Sequence, residues 1–252
     1  MILAMIFDLD GTLVKTEWLK SLSYAQAVQR LSPAPVTVEE VQAAFADVVG
    51  RSREEVSSAL LARFGLEVAA RARLEEFEAR FPWQVLARIR LEIYDGMLAD
   101  SDTLRSNQWP HNVELLHAAR RASCKTALAS MSTCDQVTRV LDAIGLQDQF
   151  DVVLSREDVE CPKPDPEIYL LAGRLLDTPP RECLVIEDSP AGVQAAVAAG
   201  MNCVAVAPPF TRAGLLAQPW LAQEWVVDDP ARLPLVGERV IRHNHPIVHT
   251  TA

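Results

Sequence analysis

Four short runs that are apolar almost end to end limit what this chain can fold into: residues 125–130 (KTALAS), 151–155 (DVVLS), 183–188 (CLVIED) and 203–207 (CVAVA), with 224–227 (EWVV) as a fifth candidate. A run with no polar alternation suits a strand buried on both faces. Helical patterns at 133–144, 166–176 and 190–199 separate the runs. Strands and helices in alternation build a parallel sheet with helices on both faces. A similar run at 3–7 (LAMIF) lies far upstream and finds partners only in that sheet. The stretch between is therefore an insertion. The expected architecture is α/β, with a parallel-sheet core formed by residues 1–15 and 103–252 and an inserted all-helical domain at 16–102.

The insertion has helical texture throughout. TVEEVQAAFADVV opens with a capping box, Thr37 with Glu40; SREEVSSALLARFG opens with another, Ser52 with Glu55, and ends at Gly65. VAARARLEEFEARF and QVLARIRLEIYDGML follow, and both are expected to be helical.

Composition narrows the function classes. The formal net charge is -10, which argues against a broad nucleic-acid surface or an anionic membrane as partner, while leaving room for a local basic pocket. No apolar run approaches the ~20 residues of a membrane span. The N-terminus lacks the basic start and cleavage site of a signal peptide. Five cysteines (124, 134, 161, 183, 203) without a C-x-x-C pair read as reduced thiols, and the expected compartment is cytoplasmic. The histidines at 243, 245 and 249 read as part of a loose polar tail rather than a metal site.

In a parallel sheet all strands end on one side, and ligands bind outside those carboxyl ends. Asp8 and Asp10 follow the first run, Ser130 and Ser132 follow KTALA, and Glu187 and Asp188 follow CLVI; Lys163 lies in the loop CPKPDP after DVVLS. Clustered carboxylates call for a cation, and Mg2+ takes oxygen ligands together with phosphate oxygens. A lysine and a serine hydroxyl fit the remaining oxygens of a phosphoryl group. One aspartate can then attack phosphorus and the other can move the proton. Positions i and i+2 leave a strand on the same side, which explains the D-x-D spacing.

Asp8-Leu9-Asp10-Gly11-Thr12 after a buried strand resembles the first motif of the haloacid dehalogenase superfamily. Ser130 at a strand end, Lys163 before Pro-Asp-Pro and the Glu187–Asp188 pair resemble its other motifs, in the expected order. CPKPDPEIY and VIEDSPAGVQAAVAAGM are similar to its phosphatase and beta-phosphoglucomutase-like branch. The resemblance implies a Rossmann-like core with a helical cap, Asp8 as nucleophile and Asp10 as general acid/base. It implies Mg2+ held by Asp8, the Asp10 carbonyl and Asp188, with Glu187 near or behind them. Ser130 and Lys163 would bind the transferring phosphate. In the cap, Thr16, Lys20, Arg53 and Arg90 are the implied substrate-facing positions. The chain departs from relatives where Lys15 and Lys20 replace an aspartate and a histidine and where Pro110-His111 replaces Pro-Gly. The two lysines suggest a more anionic substrate.

The expectation is a Mg2+-dependent phosphatase acting through an aspartyl-phosphate on a small phosphorylated metabolite, a sugar phosphate first among them. A phosphosugar mutase is the alternative, weakened by the missing histidine. A phospho-aspartate receiver domain is disfavoured by the late acid pair and by the cap.

Overall fold

The computed structural model describes residues 1–49 and 51–243. Two compact units emerge, Met1–Lys15 with Ser101–Ala252, and Thr16–Asp100.

The first unit is built on a six-stranded sheet: β1 (Ala4–Phe7), β2 (Lys125–Ala129), β3 (Val152–Leu154), β4 (Cys183–Glu187), β5 (Asn202–Val206) and β6 (Val226–Val227). All pairings are parallel, in the order β3-β2-β1-β4-β5-β6. The chain moves one way from β1 through β2 to β3, then restarts at β4 on the other side of β1. That reversal makes β1 the topological switch point, where a crevice opens outside the strand ends. Phe7 pairs with Leu128 on one side and with Ile186 on the other. One residue further on, Asp8 stands between Ala129 and Glu187, and its N–H reaches Ile186 O at 3.0 Å. All four residues of β1 are buried, and so are all five of β4. This is why both strands are continuously apolar up to the acids.

The second unit is wholly helical among its described residues: α1 (Thr16–Leu31), α2 (Val38–Ala46), α3 (Arg53–Arg63), α4 (Glu67–Arg71) and α5 (Pro82–Ala99). Helix α1 packs on α2 and α5, and α3 packs on α5. Both capping boxes form, with Glu40 N–H donating to Thr37 Oγ1 and Glu55 N–H to Ser52 Oγ, each at 3.2 Å. Gly65 takes φ +65° just past α3, a conformation that glycine adopts without strain. The expected helix over VAARARLEEFEARF ends at Arg71, and turns follow. Its apolar stripe is too thin: in that stretch only Ala70 and Phe77 are buried, so no face holds a longer helix down.

The remaining helices belong to the sheet unit: α6 (Ser101–Ser106), α7 (Pro110–Arg121), α8 (Cys134–Ile144), α9 (Glu167–Leu175), α10 (Pro190–Ala198), α11 (Arg212–Leu216) and α12 (Leu233–His243). The expected cap boundary at 102 falls inside α6. Leu104 is fully buried and Arg105 Nε donates to Ala143 O at 2.9 Å, which ties that helix to α8. His245 and His249 lie outside the described residues, and His243 closes α12. The five cysteines are unpaired; Cys124, Cys183 and Cys203 are buried. Among the described residues no helix is long and apolar enough to cross a membrane.

Candidate active site

The strand ends bring Asp8, Asp10, Ser130, Lys163, Glu187 and Asp188 to one edge of the sheet. Lys163 is at the centre. Its ammonium donates to Asp8 Oδ1 at 2.7 Å, to Glu187 Oε1 at 2.7 Å and to Ala129 O at 2.9 Å, so all three of its N–H groups are used. The loop that carries it is closed by Glu167 at the start of α9, whose carboxylate accepts the N–H groups of Glu160 and Cys161. That is the structural reason for a Glu after Pro-Asp-Pro.

Glu187 is saturated. Oε1 accepts from Lys163 and from the Tyr169 hydroxyl at 2.9 Å. Oε2 accepts the N–H groups of Asp188 (2.8 Å) and Ser189 (2.9 Å) and the Ser189 hydroxyl (3.0 Å). Five donors fill the lone pairs of one carboxylate. They hold Glu187 ionised, with a pKa below the usual range although burial pushes the other way. The group also lies at the N-terminus of α10, whose partial positive charge favours an anion. Gly192 leaves it room, since a Cβ there would meet Glu187 Oε1 at 1.7 Å.

Asp8 is on the losing side of this arrangement. One lysine cannot neutralise two buried carboxylates, and Glu187 has the better partners. Burial drives the Asp8 pKa up to about 8 despite Lys163, with the charges of Glu187 and Asp10 adding to the rise. The Lys163 ammonium is held protonated by the same two acids, which outweigh its own burial.

Carboxylate oxygens of Asp8, Glu187 and Asp188 lie within 4.8 Å of one another, all three residues buried. Buried acids in this number, with Lys163 as the cation they share, fit a divalent cation, and an all-oxygen donor set suits a hard one. The saturation of Glu187 separates the three. Asp8 and Asp188 are the two that could hold the cation, whereas Glu187 accepts from Lys163 and from the N–H groups of Asp188 and Ser189. Glu187→Ala is therefore expected to cost about 3–5 kcal/mol of stability, as when one partner of a buried ion pair is removed. Urea unfolding followed by circular dichroism measures this.

The structure also brings in residues to which the sequence reading gave no role. Ser132 Oγ donates to Asp10 Oδ2 at 2.6 Å, whereas Ser130 Oγ is 3.4 Å from the same oxygen. Tyr169, fully buried, holds Glu187 through its hydroxyl, and its ring lies 4.9 Å from the Lys163 ammonium. The sequence signal for Ser132 was its place at a strand end. Tyr169 gave none beyond a helix-face aromatic.

The other sequence-derived positions lie in the helical unit. Thr16 is buried at the start of α1, its hydroxyl without a hydrogen-bond partner among the described residues. Lys20 pairs with Glu17 at 2.6 Å. Arg53 is exposed at the first position of α3. Arg90 is buried over the rings of Tyr24 (5.3 Å) and Tyr94 (4.3 Å), and burial lowers its pKa. Lys15, in the sheet unit, places its ammonium 4.7 Å from the Trp109 ring centre. The charges of Lys15 and Lys20 thus have partners inside their own units.

Comparison with known proteins decides the family. The haloacid dehalogenase-like hydrolase profile matches residues 2–200. The chain belongs to that family. This hydrolase is 48% identical over 91 residues to YhcW of Bacillus subtilis, 36% of this chain and 41% of that protein, so the match spans less than half of that relative. It is 30% identical over 202 residues to the phosphorylated carbohydrates phosphatase of Thermotoga maritima, 79% of this chain and 82% of that one. Among solved structures, CbbY from Rhodobacter sphaeroides, a variant in complex with xylulose-1,5-bisphosphate, superposes with a TM-score of 0.64 at 26% identity, covering 94% of this chain and 99% of that one. For this haloacid dehalogenase-like hydrolase, the match covers every strand-end residue of the site.

Proposed function

We propose that this hydrolase is a Mg2+-dependent phosphatase that removes phosphate from a small phosphorylated metabolite of the sugar-phosphate class by way of an aspartyl-phosphate on Asp8. The observation that carries the reading is the Asp8–Lys163–Glu187 arrangement, a buried carboxylate held beside a permanently charged amine at the mouth of the sheet. The names of the relatives agree with the substrate class.

Asp8 is the nucleophile. Its carboxylate forms a bond to phosphorus as the ester P–O bond breaks, and Asp10 delivers a proton to the departing oxygen. A water then attacks the acyl phosphate, Asp10 takes a proton from it, and inorganic phosphate and the Asp8 carboxylate are released. The Ser130 hydroxyl and Lys163 bind the phosphoryl oxygens, Lys163 by turning to them the N–H that donates to Asp8 in the free protein, while Glu187 and Ala129 O keep the amine in place. Mg2+ would be held by Asp8 and Asp188 with the Asp10 carbonyl, and when bound would supply charge neutralisation for the phosphoryl oxygens and for the attacking carboxylate. Arg53 and Arg90, with Thr16 and Lys20, are the positions of the helical unit assigned to the rest of the substrate.

The test is a screen of phosphorylated sugars and acids with Mg2+, reading free phosphate, with beta-glucose 1-phosphate and a trace of the 1,6-bisphosphate included to detect glucose 6-phosphate. Phosphate release that stops in excess EDTA and returns with Mg2+ is the expected result; Zn2+ restores little. Full activity in EDTA would overturn the metal reading, and glucose 6-phosphate as the main product would replace hydrolysis with mutase chemistry.

A further inference from the structure

Two serines follow β2 and they are held differently. Ser130 Oγ accepts the N–H of Ser132 at 3.0 Å, which closes a short turn. The Ser132 carbonyl accepts the N–H of Arg156 at 3.0 Å, which ties it to the segment after β3. The backbone of Ser132 is thus fixed on both sides, and its hydroxyl donates to Asp10 Oδ2 at 2.6 Å. Asp10 lies beyond the end of β1, and the next residue, Gly11, has φ +83°. An isolated bridge to Val14 holds the Asp10 backbone, and the hydrogen bonds that orient its carboxylate come from Ser132 and, more weakly, Ser130.

We propose that Ser132 is the positioning residue for Asp10: its hydroxyl grips one carboxylate oxygen and leaves the other turned to the reacting proton. The proposal rests on the phosphatase reading above, in which Asp10 exchanges that proton. At 2.6 Å the bond has the length of a charge-assisted O–H···O contact, the stronger kind. Ser130 is the weaker partner: its hydroxyl also faces Asp10 Oδ2, but at 3.4 Å, beyond the normal range for an O–H···O bond. Ser132 itself touches no reacting atom. Its effect passes through Asp10, so its loss appears in the proton-transfer steps and not in substrate affinity.

p-Nitrophenyl phosphate separates the steps. Its leaving group departs without a proton, so the first phosphoryl transfer is insensitive to Asp10, while hydrolysis of the aspartyl-phosphate still needs it. In full-length protein with saturating Mg2+, Ser132→Ala is expected to keep the wild-type rate constant for the initial burst of p-nitrophenol. Steady-state kcat falls about tenfold, part of the ~10²–10⁴-fold that acid–base catalysis supplies, and KM does not rise. Ser132→Thr keeps the hydroxyl and restores kcat. In an Asp10→Asn background Ser132→Ala costs nothing further, because the two residues act as one. A slowed burst, a raised KM, or an equal loss in both backgrounds assigns Ser132 to folding or substrate binding and overturns the proposal. Asp10→Asn with undiminished turnover overturns the phosphatase reading and this proposal with it; Asp10→Asn that loses turnover beside an unaffected Ser132→Ala overturns this proposal alone. Where Asp10→Asn falls below detection, the burst and steady-state phases of Ser132→Ala decide.

Discussion

Asp8→Asn is expected to lower turnover by about 10³-fold or more, as removal of a catalytic nucleophile does, and to leave a folded, more stable protein. An amide cannot form the acyl phosphate, so both steps of the reaction vanish. Stability moves the other way because of how Asp8 is held. Burial, with Glu187 and Asp10 nearby, lifts its pKa in the folded chain from 3.8 to about 8. Between those values the native state binds a proton that the unfolded chain has given up, so stability falls as pH rises across that window. Asparagine keeps an oxygen toward Lys163 and does not titrate. In EDTA the variant should therefore match wild type near pH 4 and exceed it by a few kcal/mol near pH 8, the order of magnitude that a shift of this size represents. Added Mg2+ should stabilise wild type and not the variant. Phosphate release and thermal melts from pH 4 to 8 measure both halves, and an active Asp8→Asn would remove Asp8 from the chemistry.

The sheet and its acids were legible in the sequence for one physical reason. Strands buried on both faces must be apolar along their whole length, so the point where each run stops and carboxylates begin marks the edge of the sheet. Asp8, Asp10, Glu187 and Asp188 all announce themselves in this way. The roles within the cluster were not legible. Glu187 and Asp188 read as a pair of equivalent acids, whereas the five donors to Glu187 come from three separate segments and separate its role from that of Asp188. Tyr169 is indistinguishable in sequence from a core aromatic on an amphipathic helix; only the register of β4 against α9 turns its hydroxyl into a clamp on Glu187. Ser132 looked like a neighbour of Ser130 until the fold carried it to Asp10. In the helical unit, spacing gave the capping boxes, which are local, but not the burial of Arg90 between two tyrosines, which depends on how α1 meets α5.

The second large effect is expected from a residue with no side chain. Gly11 follows Asp10 at φ +83°, and a Cβ added there would sit 2.0 Å from Asp188 Oδ2 and 2.5 Å from its Cγ. Both facts require glycine, yet they differ in weight. The left-handed conformation alone costs an alanine about 1–2 kcal/mol, which a folded domain survives. The collision is harder on function, because the carboxylate that must retreat is the one assigned to the metal. The backbone of Asp188 is held by its own N–H on Glu187, so the collision falls on its side chain. A misplacement of about 1 Å at a reacting centre can cost ~10²-fold, so Gly11→Ala should lower kcat at least that much while the circular dichroism spectrum stays native. The loss should also shift with the metal: half-saturation by Mg2+ moves to higher concentration, because one of two ligating carboxylates has left its place. Gly11→Ala with wild-type kcat and an unchanged Mg2+ requirement would show that Asp188 can move without loss, and that the ligands lie elsewhere in the cluster.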